Sequence, residues 1–123
     1  MPHIIIEHSA DIANSEIISL QESIHQLLKT IEGNIDPDQC KLRALSFSEY
    51  FVGYPDQLSA SFIHITFKLL LGRSLEVRKA LSASIVELTQ IFINNQNLKS
   101  TRCDISVDIV EMNPETYQKI RFE

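Results

Sequence analysis

Apolar positions along this chain follow two different periods, and each change of period marks the start of a new element. Ile4, Ile5 and Ile6 stand in a row, leaving residues 3–6 no polar side and predicting a strand buried on both faces. The polar residues 9–14 end it. From Ser15 the apolar residues Ile17, Leu20, Ile24, Leu27, Leu28 and Ile31 recur at helical steps, with Glu22, Gln26 and Lys29 outside the stripe. Asn14 or Ser15 suits the N-cap of this helix, and Gly33 the position after its end. Asp36-Pro37-Asp38 reads as a turn. Residues 41–52 then alternate. Leu42, Ala44, Ser46, Ser48 and Tyr50 take one side, and Lys41, Arg43, Leu45, Phe47, Glu49 and Phe51 the other, until residues 53–57, with Gly53 and Pro55, close the strand.

The same plan follows again. Residues 62–71 predict a strand with Ile63, Ile65, Phe67, Leu69 and Leu71 on its apolar face. Gly72-Arg73-Ser74 makes an abrupt turn in which Ser74 can cap a second helix, whose stripe is Val77, Leu81, Ile85, Leu88 and Phe92. Polar residues 94–97 end that helix, and residues 103–112 alternate once more, with Ile105, Val107 and Ile109 on one face. Pro2-His3-Ile4-Ile5-Ile6 can be laid over Ile63-His64-Ile65-Thr66-Phe67, and Cys40 and Cys103 both stand just before a final strand. The expected fold is α+β, with tandem β-α-β units as pseudo-repeats over about 2–53 and 62–112. They form a four-stranded mixed sheet with both helices on one face, in a single domain spanning 1–123. The other face needs cover that the chain itself does not supply, so association through that face is expected. Residues 113–123, with Pro114 and the apolar Tyr117, Ile120 and Phe122, read as an extended arm able to reach a neighbour.

Composition narrows the function. A net charge of −5 without a Lys/Arg cluster argues against a nucleic-acid surface. No apolar run approaches the roughly 20 residues needed to span a membrane. The short run after Met1 carries Glu7 and His8 and lacks the basic start of a secretory leader, so a cytoplasmic location is expected. Two cysteines make no disulfide framework and have no metal-site spacing.

Candidate chemistry is sparse. His3, His8, His25 and His64 form no helical metal-ligand pair with a carboxylate, and neither a metal nor a cofactor is expected. Gly72 and Gly53 make no phosphate loop, and Ser46, Ser48 and Ser74 lack the context of a nucleophile. Asp104, Asp108 and Glu111 read as the solvated face of the last strand. What remains is one amine and a few cations. The initiator methionine is trimmed when the next residue is small, which would leave Pro2 as a free secondary amine; protection against aminopeptidases is the other reading of that proline. Arg73 stands at the carboxyl end of a strand before a helix, where ligands commonly bind. Arg43 and Lys41 share one face of the second strand, and an arginine midway along a buried strand requires an anion or water beside it.

Three stretches carry a family resemblance: Met1-Pro2-His3-Ile4-Ile5-Ile6-Glu7, Phe62-Ile63-His64-Ile65-Thr66-Phe67-Lys68 and Gly72-Arg73-Ser74-Leu75-Glu76. They resemble the 5-carboxymethyl-2-hydroxymuconate isomerases of the tautomerase superfamily. The second half, with Gly72-Arg73-Ser74 and Asp108-Ile109-Val110-Glu111-Met112, is also similar to the short 4-oxalocrotonate tautomerases. The resemblance implies a homotrimer with the sheets facing inward, and an isomerase acting on a small carboxylated enol. Pro2 would shuttle the proton, while Arg73 and a second-strand arginine hold carboxylates. Arg43 matches that second position, with Lys41 the alternative in the neighbouring register. Residues 46–60 and the tail would shape the pocket, and neither matches the family closely enough to name a substrate. The remaining alternatives are a phenylpyruvate-type tautomerase, a hydrolytic dehalogenase or decarboxylase using the same proline, and a trimeric binding protein without the chemistry.

Overall fold

Alternation and helical periodicity each find their counterpart in a computed structural model, which describes residues 2–31, 35–56, 60–98 and 102–123. Among these residues the strands are β1 (His3–Ser9), β2 (Lys41–Phe47), β3 (Ala60–Leu70) and β4 (Arg102–Met112), and the helices are α1 (Asn14–Leu28) and α2 (Leu75–Asn94). A short 3-10 turn, Pro37–Gln39, leads into β2. The strands form one sheet in the order β2-β1-β3-β4. β1 runs parallel to β2 and β3 parallel to β4, because a helix returns the chain within each unit, while the central pair β1 and β3 is antiparallel. The sheet is therefore mixed, as expected.

Both helices pack on one face. Ile4 and Ile6 of β1 meet Ile63, Ile65, Phe67 and Leu69 of β3, and over them lie Ile17, Leu20, Ile24 and Leu28 of α1 with Leu81 and Ile85 of α2. Side chains of a strand alternate between faces. The opposite face accordingly carries His3, Ile5 and Glu7 of β1, Lys41, Arg43 and Leu45 of β2, His64, Thr66 and Lys68 of β3, and Asp104, Ser106 and Asp108 of β4. Among the described residues no second layer covers it, so Ile5 is only half-buried and β1 is not enclosed on both sides.

Several boundaries differ from the sequence reading, each for a local reason. The second strand ends at Phe47, short of residue 52, because its partner β1 ends opposite it at Ser9. Beyond that point the alternation reflects packing of a loop. The Tyr50 hydroxyl donates to the Ala60 carbonyl at 3.1 Å, and its ring meets Phe62 edge-on at 5.5 Å. α1 begins one residue earlier than expected, and its N-cap is Ala13 without a side-chain hydrogen bond, so neither Asn14 nor Ser15 caps it. A turn in which the Ile12 amide donates to the Ser9 carbonyl, with Ile12 buried, sets that start. Gly33 and Gln57 lie outside the described residues. Ser74 does cap α2, accepting from the Val77 amide at 3.2 Å. Before it, Gly72 adopts φ 130°, a backbone conformation that L side chains rarely take.

The tail does not run straight outward. Asn113 closes a turn, its side chain accepting from the Glu115 amide at 3.0 Å and its carbonyl from the Tyr117 amide at 3.0 Å. The chain then lies against its own sheet end, with Lys119 bonded to Gln39 and Arg121 paired with Asp38 at 3.6 Å. Ile120 and Phe122 stay exposed.

Candidate active site

Pro2 precedes the first residue of β1 and is buried. Its carbonyl accepts from the Lys41 amide at 3.0 Å, which ties the start of β1 to the start of β2. The antiparallel register brings the carboxyl end of β3 to the same sheet end, since His3 lies opposite Lys68. One row across the open face therefore reads Lys41, His3, Lys68. The next reads Arg43, Ile5, Thr66, and Arg43 reaches back so that its Nη1 lies 3.1 Å from His3 Nδ1.

Cations thus surround the residue that follows Pro2. Partial burial, and then the charges of Arg43, Lys41 and Lys68, hold the His3 imidazole below its usual 6.5 and favour its neutral form. On its other edge, His3 Nε2 lies 2.9 Å from the Tyr117 hydroxyl, and the two rings meet edge-on at 5.9 Å. This local charge stands against a molecule whose net charge is −5, and it is suited to hold a carboxylate.

The sequence-predicted residues divide accordingly. Arg43 and Lys41 both face the open side, as their spacing requires. Only Arg43 engages His3, whereas Lys41 Nζ donates to the Gln39 carbonyl at 3.2 Å. Arg73 lies in the loop leaving β3 at the Pro2 end of the sheet, its Nη1 donating to the Leu70 carbonyl at 3.3 Å. Arg78 steadies that loop, donating to the Arg73 carbonyl at 3.4 Å and pairing with Glu111 at 3.3 Å. Met1, whose removal would free the Pro2 nitrogen, lies outside the described residues.

Sequence reasoning passed over His3, Lys68 and Tyr117. Equivalence of His3 with His64 hid the difference between them: His64 bonds Ser106 at 2.7 Å, away from the cations. No local signal places Tyr117 beside β1, since 114 residues separate it from His3. Grooves on the helical side, such as that lined by Gln21, His25 and Leu42, hold none of these groups. Among the described residues, no cluster of three or more His, Cys, Asp or Glu side chains could hold a metal ion. No described helix is long and apolar enough to cross a membrane.

Two β-α-β units sharing one sheet, with a cationic patch beside Pro2, place the molecule among tautomerase-type folds. A "fused 4-OT" symmetric trimer has this fold at TM-score 0.70 and 16% identity, over 92% of this chain and 88% of that one. A 5-carboxymethyl-2-hydroxymuconate isomerase from Deinococcus radiodurans R1 superposes with TM-score 0.87 at 20% identity, covering 98% of this chain and 90% of the other. A 5-carboxymethyl-2-hydroxymuconate delta-isomerase gives TM-score 0.79 at 13% identity, covering 99% and 89%. Comparison with curated proteins returns no match. The family model of 5-carboxymethyl-2-hydroxymuconate isomerase matches residues 2–121. The chain belongs to that family and is an isomerase.

Proposed function

We propose that the protein is a tautomerase that converts a carboxylated dienol, such as 5-carboxymethyl-2-hydroxymuconate, to its unsaturated keto form through the free amine of Pro2. The neutral nitrogen takes the proton of the enol hydroxyl as that C–O bond becomes a carbonyl. The displaced π electrons move along the conjugated chain, and the ammonium of Pro2 returns the proton to a carbon of that chain. No atom is gained or lost. A base for this task must titrate near the working pH, and burial together with nearby cations lowers the affinity of an amine for its proton. Arg43 and Arg73 hold the substrate's carboxylates and stabilise the developing dienolate, with Lys41 a lesser contributor to the field.

The observation that carries this reading is the placement of Arg43 and Lys41 of β2 beside His3, one residue from Pro2, with Lys68 of β3 on the other side of His3. The functional unit in this proposal is one domain, 1–123, assembled as a cytoplasmic homotrimer through the uncovered sheet face, and its reaction serves the breakdown of aromatic compounds. An ultraviolet assay with 5-carboxymethyl-2-hydroxymuconate, on material shown by mass spectrometry to begin at Pro2, tests it. Rapid ketonisation supports the proposal. Ketonisation no faster than in buffer overturns it, and turnover of phenylenolpyruvate alone would replace the substrate.

A further inference from the structure

Three side chains beside Pro2 form a hydrogen-bonded chain whose proton order follows from their chemistry. Arg43 Nη1 stands 3.1 Å from His3 Nδ1, and His3 Nε2 stands 2.9 Å from the Tyr117 oxygen. A guanidinium has donors and no acceptor, so His3 Nδ1 accepts with its lone pair. An imidazole that accepts at Nδ1 is neutral and keeps its proton on Nε2, from which it donates to Tyr117. The reverse order would set a proton on Nδ1 against the N–H of Arg43.

We propose that His3 and Tyr117 are positioning residues of the isomerase site: His3, held as the Nε2–H tautomer, fixes Arg43 at the Pro2 end of the sheet, and Tyr117 holds His3 from the tail. This rests on the reading of Pro2 as base and Arg43 as carboxylate clamp. Without the contact, Arg43 would be a long, exposed side chain on an edge strand, with many rotamers to lose on binding substrate. With it, the guanidinium stands ready before the carboxylate arrives.

The arrangement also makes substrate binding sensitive to acid. Among the described residues, the charged and titratable groups facing His3 are Arg43 and Lys41 from β2, Lys68 from β3 and the Tyr117 hydroxyl from the tail. The cations and partial burial keep the ring neutral at pH 7. Once protonated, Nδ1 becomes a donor and no longer accepts from Arg43, so the clamp is released as pH falls through the lowered His3 value.

Long-range proton–nitrogen NMR of the imidazole in the intact protein tests the proton order without any catalysis. The expected result is His3 as the Nε2–H tautomer, titrating below 6.5, with Arg43→Ala raising that value and mixing the tautomers. An Nδ1–H tautomer, or a ring indifferent to Arg43→Ala, overturns the proposal. This readout survives if the protein proves inactive on the enol, an outcome that would count against the function reading alone. In kinetics, His3→Leu should raise KM for the dicarboxylated enol about tenfold, the loss expected for one charge-assisted hydrogen bond, with kcat within about threefold. His3→Asn, whose Oδ1 can accept from Arg43, should restore KM and abolish its rise in acid. An unchanged KM in His3→Leu, or an acid-side rise that persists in His3→Asn, also overturns it.

Discussion

The Lys41 amide donates to the Pro2 carbonyl at 3.0 Å, so the residue that carries the proposed base is fastened by its carbonyl to the start of β2. In the proposed mechanism its nitrogen does the chemistry. Any residue retained before Pro2 turns that amine into an amide, which has no basic lone pair. A form with uncleaved Met1, or with an N-terminal tag, should therefore lose at least about a hundredfold in kcat, the usual contribution of a general base. Comparison of tagged and processed protein in the ultraviolet assay checks this, with full activity in the tagged form the contrary result.

Arg43 and Lys41 can be separated by substitution. Arg43→Ala should lower kcat/KM on a dicarboxylated enol by about 10- to 100-fold, as expected for removal of a charge-assisted pair. Lys41→Ala should cost less than about threefold, since its ammonium is held at the Gln39 carbonyl and has the geometry of a point charge. Equal losses in the two variants would return Lys41 to the site.

Arg73→Ala should fall mainly on dianionic substrates, because its guanidinium lies in the strand-to-helix loop at the far side of Pro2 from β2. A kcat/KM down by about tenfold or more on the dicarboxylate, with a much smaller loss on a monocarboxylated enol, is expected. Steady-state kinetics with both substrates decides it.

Cysteine titration gives a prediction about stability. Burial pushes the thiols of Cys40 and Cys103 up to about 11 from an ordinary value of 9.0. Between those values the unfolded chain loses thiol protons that the folded chain keeps, so stability falls as pH rises from about 9 towards about 11. Denaturant melts across that range should show the fall, and it should shrink in Cys40→Ala or Cys103→Ala. Both thiols should also react slowly with alkylating reagents at pH 8 until the chain is unfolded.

Core and surface should differ sharply. Phe67 is fully buried between the sheet and both helices, and Phe67→Ala should cost about 3–5 kcal/mol in denaturant melts. Arg102→Ala, which removes a solvent-exposed pair with Asp104, should leave the melt unchanged.

What the order of residues determines here is whatever repeats over a few positions. The helical steps of Ile17, Leu20, Ile24 and Leu28, and the alternation of Ile63, Ile65, Phe67 and Leu69, define which side of each element is buried before any partner is known. Ser74 caps its helix through a contact three residues away, so it too is local. Where β2 ends is not local, because it depends on where β1 stops beside it; the alternation of residues 48–51 therefore misled. The site is less local still. Pro2, Arg43, Arg73 and Lys41 could be singled out as chemistry-bearing residues in the chain. Their sharing one sheet end follows from a parallel pair and an antiparallel pair meeting at β1, and only the assembled sheet sets that register. The contact of His3 with Tyr117 closes 114 positions of chain, a separation across which periodicity carries no information and packing alone decides.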